Sequence, residues 1–209
     1  ESTRPGAAPV ALEEELRRVI PVIDALHGAL SVPISVDTRK PADMRAAEAS
    51  VAGLINVFSS LQAPEAISTV AGQGVPVCLM HMQGIPASMQ DNPDYRDVVD
   101  EVQAFLAGRA DACENGGIAP GHILLDPGFG FGKSTEHNLQ LLRHLDILVQ
   151  SGYPVLVGLS RKSLIGQVMG LPVDKRLYPG VALAVLAVWK GAALVRCHDL
   201  RETREAIEM

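Results

Sequence analysis

Six short apolar runs constrain this chain most: VPISVDT, LINVF, VPVCLMHM, HILLDPG, PVLVGLS and ALVRCHDL. Each closes on polar or backbone-bending residues, and each is followed by a longer stretch with helical spacing. The runs are apolar at nearly every position, the pattern of parallel strands covered on both faces. Strand and helix alternating in this way specify an α/β fold. A helix over about Ala11–Ala29 precedes the first strand, because Leu12, Leu16, Val19, Ile20, Ile23 and Leu26 recur on one face. Further helices are expected over PADMRAAEASVA, with Pro41 in its first turn, and over PEAISTVAGQG, ended by Gly72 or Gly74. Others run from about Tyr95 to Asn115, after Ser134 with Leu139, Leu142 and Leu145 inward, over RKSLIGQVM, from about Pro179 to Lys190, and from near Arg201.

The polar residues collect after the strands: Asp37 and Thr38; Asn56; Met80, His81 and Gln83; Asp126; Ser160, Arg161 and Lys162; Arg196, His198 and Asp199. In a barrel the carboxyl ends of parallel strands meet on one face, and that face carries the active site. Three clusters have chemistry. Ser160–Arg161–Lys162 with Arg196 and His198 ends the last two strands, where barrels tend to bind phosphate. Basic residues at a helix start oppose its dipole, so their placement points to a bound anion. Asp37, Asn56 and Asp126 end three strands; a carboxylate accepts two parallel hydrogen bonds from a flat donor pair, such as an amino group beside a ring N–H. A helix cap or a supporting salt bridge is the other use open to Asp37. Third, DPGFGFGKS is a glycine-rich strand-to-helix loop whose Phe129 and Phe131 either stack on a flat ligand or fill the barrel mouth.

Composition narrows the functional class. The net charge is -6, against nucleic acid or an anionic membrane as partner, since both need a basic face. No apolar run reaches the ~20 residues of a membrane span. Hydrophobic residues make up 47% of the chain and aromatics 4%, so the core is expected to be aliphatic. Cys78, Cys113 and Cys197 lack metal-ligand spacing and suit free, buried thiols in a reducing, cytoplasmic setting. GFGFGKS lacks P-loop spacing, and no G-x-G-x-x-G follows an early strand.

Taken in order, ESTRPGA, SVDT, VCLMHMQG, LLDPGFGFGK, VGLSRKS and RCHD closely resemble the bacterial dihydropteroate synthases of the pterin-binding family, from Glu1 to about Ile207. The resemblance implies a (β/α)8 TIM-barrel type of fold. A full barrel takes about 250 residues. With 209 residues the chain is expected to form an incomplete barrel of about six βα units, one domain over 1–209, N-terminally truncated relative to the family. It implies an enzyme, a transferase of folate biosynthesis. That enzyme joins 6-hydroxymethyl-7,8-dihydropterin pyrophosphate to para-aminobenzoate, releasing pyrophosphate, as a cytoplasmic homodimer that uses Mg²⁺ and is a sulfonamide target.

Residue by residue, the resemblance implies that Asp37, Asn56, Met80, Asp126, Phe131 and Lys162 form the pterin site. Thr3, Arg4, Pro5, Ser160 and Lys162 would border the aminobenzoate, and Arg196 and His198 would hold the pyrophosphate. Asp126, Lys162, Arg196 and His198 would carry the chemistry. No metal ligand is expected in this chain, because the family's metal-binding Asn precedes the segment it resembles. The 209 residues alone are expected to fold poorly, or to need that segment, a partner chain or a rearranged closure. Val57, Arg39 and Tyr178–Pro179 depart from the family pattern. The other readings are a non-catalytic pterin-binding remnant and a folate-dependent barrel methyltransferase, the latter having less use for an anion site.

Overall fold

A computed structural model describes residues 10–38, 53–57, 59–63 and 65–209. The strands are β1 (Ser35–Asp37), β2 (Leu54–Val57), β3 (Val77–Met80), β4 (Ile123–Asp126), β5 (Leu156–Val157) and β6 (Leu194–Val195). The helices are α1 (Leu12–His27), α2 (Ala66–Ala71), α3 (Val98–Asn115), α4 (Thr135–Arg143), α5 (Leu145–Val149), α6 (Ser163–Met169), α7 (Leu177–Trp189) and α8 (Leu200–Glu208).

Strands β1 to β4 pair in sequence order and all in parallel. β5 pairs with β6, also in parallel, and a parallel bridge between Leu125 and Val155 joins the two sets. Parallel neighbours need a crossover; α2 supplies it between β2 and β3, α3 between β3 and β4, and α6 with α7 between β5 and β6. The six expected strands are therefore all present among the described residues, each from β2 onward followed by a helix. The helix expected over 41–52 lies outside them, as do Thr3, Arg4, Pro5 and Arg39.

Successive strand residues point to opposite faces. Ile55, Val57, Val77, Leu79, Ile123, Leu125, Val155 and Val157 face the helices and form one core with Val98, Val102, Leu106, Leu141 and Leu145. The alternate residues, Leu54, Cys78, Leu124 and Leu156, pack together on the other, concave face. Complete burial holds for β3, β4 and β5, but β1 and β6 are partly exposed because they end the arc.

Local chemistry sets the helix starts. α3 begins at Val98 rather than Tyr95, because the Asp97 side chain accepts from the N–H groups of Val99 and Asp100. Ser134 caps α4 in a reciprocal box with His137. Leu139, Leu142 and Leu145 do turn inward, but Leu145 starts a new helix after a break at His144. α7 starts at Leu177, ahead of Pro179. Cys78 and Cys113 are buried as expected, whereas Cys197 is half-buried.

Candidate active site

The strand register builds the site. Asp37 pairs with Asn56, and Met80 with Asp126, so the tips lie level at one end of the sheet. Asn56, Met80 and Asp126 each stand two residues beyond Leu54, Cys78 and Leu124. They therefore continue the concave face and rim its mouth. Arg196 stands likewise beyond Leu194. The Arg196 guanidinium lies 3.1 Å from Asp37 Oδ2 and 3.9 Å from Asp126 Oδ2. Asp37 thus serves as a salt-bridge partner, one of the two uses open to it. Asn56 donates through Nδ2 to Ser35 Oγ.

Asp126 is 3% exposed. Burial pushes its carboxyl above the usual range, against Arg196, the Gly128 N–H, Lys162 and Lys133, which favour the charged form. That N–H donates to Oδ1 at 2.7 Å. Lys162 Nζ donates to Phe129 O at 2.8 Å and sits 4.0 Å from the centre of the Phe131 ring. Desolvation brings the Lys162 ammonium down to about 8, with Asp126 opposing.

Of the two phenylalanines only Phe131 lies at the mouth; Phe129 takes neither use expected of it. Phe129 is 2% exposed and belongs to the helix-facing core. Phe131 packs instead with Met80, Met82 and Met89 beside the mouth. Ser160 accepts from the His198 backbone N–H at 3.2 Å, and its oxygen lies 3.0 Å from His198 Nδ1. If that nitrogen accepts the hydroxyl proton, Nε2 carries the ring proton and faces outward as a donor. Arg161 does not join the anion cluster as expected. It has a left-handed backbone (φ 57) and its guanidinium meets Asp199 at 2.5 Å. Gln83 turns away as well, exchanging hydrogen bonds with the backbone of Asp94.

Sequence reasoning missed two residues. Gly158 has no side chain where one would crowd the Arg196 guanidinium, at 3.3 Å from a Cβ. A glycine inside a strand is the available signal for such close approach. Lys133 is 3% exposed, and its Nζ reaches His81 Nδ1 at 2.9 Å and the carbonyls of Gly128 and Phe131 at 3.0 Å each. Its only signal was its place at the end of GFGFGK. His81 faces the helix layer, edge-on to Phe105 at 5.0 Å between ring centres, and not the concave mouth.

The chain has relatives among known proteins. The pterin binding enzyme family matches residues 1–198. The dihydropteroate synthase of Escherichia coli K12 is 48% identical over 209 residues, which are all of this chain and 74% of that protein. The Yersinia pestis dihydropteroate synthase in a sulfonamide drug complex superposes with a TM-score of 0.96 at 48% identity, over 99% of this chain and 75% of that one. The Xanthomonas albilineans enzyme with 4-aminobenzoic acid gives 0.95 at 51% identity, over 100% and 74%. A further Xanthomonas albilineans complex holds 7,8-dihydropteroate, at 0.90 and 48%, over 97% and 75%. The chain belongs to the pterin-binding enzyme family and, within it, to the dihydropteroate synthases.

Proposed function

We propose that the protein condenses 6-hydroxymethyl-7,8-dihydropterin pyrophosphate with para-aminobenzoate at the mouth rimmed by Asp37, Asn56, Met80, Asp126, Phe131, Lys162 and Arg196. The observation that carries this reading is the convergence on one spot of two carboxylates and one guanidinium, drawn from three different strand tips. Carboxylates suit the amino and ring N–H donors of a pterin. A guanidinium suits a diphosphate.

The chemistry follows from the charges. The bond between the pterin methylene and the diphosphate oxygen breaks, and its electron pair leaves with the oxygen. Arg196 and an outward His198 Nε2–H receive that growing negative charge, an electrostatic contribution of the kind worth about 3–4 kcal/mol per well-placed donor. Asp126, whose charged form Arg196, Lys162 and Lys133 favour against its burial, stabilises the positive charge left on the pterin. The arylamine nitrogen then forms the new C–N bond and loses a proton to solvent. It is already unprotonated at neutral pH, so no strong general base is required. Ser160 and Lys162 border the aminobenzoate in this reading, with Thr3, Arg4 and Pro5, and sulfonamides compete there.

Mg²⁺ enters as a counter-ion of the diphosphate, since it usually binds through one or two carboxylates, waters and substrate phosphates. Among the described residues no group of three His, Cys, Asp or Glu side chains could hold a metal ion. These residues do not build a metal centre of their own. A homodimer is proposed through α7. Tyr178 and Trp189 are 82% and 88% exposed there and, eleven residues apart, share one face. A cytoplasmic location is the setting in which free thiols persist. Among the described residues no helix is long and apolar enough to cross a membrane.

The test is formation of 7,8-dihydropteroate and release of pyrophosphate from the two substrates, in the wild-type protein and in D126N. Wild-type turnover that D126N lowers about a hundredfold or more supports the reading. Turnover unaffected by D126N sinks it, as does pterin binding to wild type without turnover.

A further inference from the structure

The loop from Gly128 to Gly132 is held in an unusual way. Each of its five successive carbonyls accepts a side-chain donor: Gly128 and Phe131 from Lys133 Nζ, Phe129 from Lys162 Nζ, Gly130 from Gln90 Nε2 and Gly132 from Tyr95 Oη. Its N–H groups are held too, Gly128 by Asp126 Oδ1 and Gly130 by Asn138 Oδ1, at 2.7 Å each. Left-handed backbone at Gly128, Gly130 and Gly132 turns the peptide planes so that these carbonyls can face side chains. Lys133 is the hub. It makes two of the five carbonyl contacts and also meets His81 Nδ1 and, at 3.4 Å, His81 O at the end of β3.

Of these donors, Lys162 alone also belongs to the substrate site. When its ammonium moves from Phe129 O to a substrate acceptor, the loop loses one of its five ties. The carbonyls of Gly128, just before that tie, and of Phe131, two residues after it, remain on Lys133. Phe131 packs on Met80 and Met89, and Gly128 N–H meets Asp126, so the loop's position fixes both a wall and a carboxylate of the pterin site. Small displacements of such groups have large effects on binding and rate.

We propose that Lys133 is a positioning residue for the pterin substrate: its buried ammonium ties the Gly128–Gly132 loop to the tip of β3 and so sets Phe131 and Asp126 for pterin, while Lys162 is left free to exchange its loop contact for a substrate contact. The aminobenzoate side shares Lys162 with the loop but is bordered also by Ser160, on a different strand end, so it depends on the tie less than the pterin side does. The proposal rests on the pterin-site assignment above, and the test separates the two.

The experiment measures KM for each substrate, kcat and thermal midpoint in wild type, K133M and K133A. The expected K133M result is a KM for the pterin pyrophosphate raised about tenfold or more and a lowered kcat, because the loop places both a wall of the pterin site and the Asp126 carboxylate, with KM for para-aminobenzoate within about twofold. In K133A, added ethylammonium is expected to restore the pterin KM in part, by refilling the cation position. Equal rises in both KM values that follow the fall in thermal midpoint, without rescue by the amine, would mark Lys133 as a fold residue only and overturn the proposal. An unchanged pterin KM in a folded K133M overturns it as well. Should K133M fail to fold, K133A with and without ethylammonium decides on the same two outcomes. If wild type itself binds no pterin, the site assignment fails, a result distinct from either.

Discussion

Lys133 sits where a lysine is costly, and its surroundings make that cost depend on pH. Burial brings its ammonium down to about 7, with Asp126 opposing and Lys162 adding to the fall. The same burial, with Lys133 beside it, brings the His81 imidazole down to about 3. Both folded groups therefore shed protons that the unfolded chain keeps. Between about 7 and the ordinary lysine value the unfolded state binds one more proton at this position. Stability must then rise with pH through that window and fall back as the pH drops through 7, by at most about 1.4 kcal/mol per pH unit. Three charged or titratable groups face Lys133: His81 at the tip of β3, Asp126 at the tip of β4, and Lys162 ahead of α6. Urea unfolding of wild type and K133M at several alkaline pH values reads the effect of Lys133 together with the groups that face it, since the groups remote from it cancel in the difference. The wild-type curve should gain on the variant as pH rises; parallel curves would mean that Lys133 is not buried as a base. Sequence reading had no access to this. A strand-end carboxylate such as Asp126 declares itself by position, but a lysine at a loop end reads as solvated. Only the loop folding back over it makes it a buried cation.

At the scale of the element, the strands were legible because burial on both faces leaves unbroken apolar runs, and their polar ends were legible for the same reason. What could not be read was where ladders stop. ALVRCHDL reads as a full strand, yet among the described residues only Leu194–Val195 pair, and with β5. The arrangement that brings Arg196 to Asp37 is a tertiary property, because the two lie 159 positions apart. The break between α4 and α5 was also invisible, since the inward leucines keep helical spacing straight through it. The glycine loop was recognised as special, but not for its full reason. A Cβ on Gly128 would strike His81 O, and one on Gly132 would strike Gln83 O, both at positions of left-handed backbone. Neither obstacle is a flexible side-chain end, so neither can yield cheaply. G128A and G132A should each cost about 1–3 kcal/mol from backbone strain alone. That lowers the thermal midpoint by about 3 °C or more in a chain of this size. G121A, where a Cβ would meet nothing, is the control and should leave the midpoint nearly unchanged. Equal effects in all three would mean that the loop does not approach β3 as described.

At the scale of the whole molecule, the ion pair between Arg196 and Asp37 joins the two end strands of the arc. β1 and β6 do not pair with each other, yet their tips meet across the mouth at 3.1 Å. The pair is open to water, with side chains 38% and 46% exposed, so its direct contribution to stability is small. Its larger effect is on Asp126, whose carboxyl burial pushes up and Arg196 pulls back most strongly among the opposing groups. Removing the guanidinium should therefore raise the Asp126 value further. The buried carboxyl would then take up its proton at a higher pH and cease to accept from a pterin. In R196Q, pterin binding should be lost at a higher pH on the acid side than in wild type, and pyrophosphate should inhibit about tenfold more weakly. R161A is the contrasting case. Arg161 lies in the same basic stretch but is committed to Asp199, so its removal should change pyrophosphate inhibition by no more than about twofold. Calorimetric pterin titrations across pH, with pyrophosphate inhibition of turnover, separate the two arginines. If R161A weakened pyrophosphate as much as R196Q, the anion would lie beside α6 rather than at the mouth between β1 and β6. If the acid limb of pterin binding stayed in place in R196Q, Arg196 would not be the charge that keeps Asp126 ionised, and the convergence of strand tips would lose its chemical meaning.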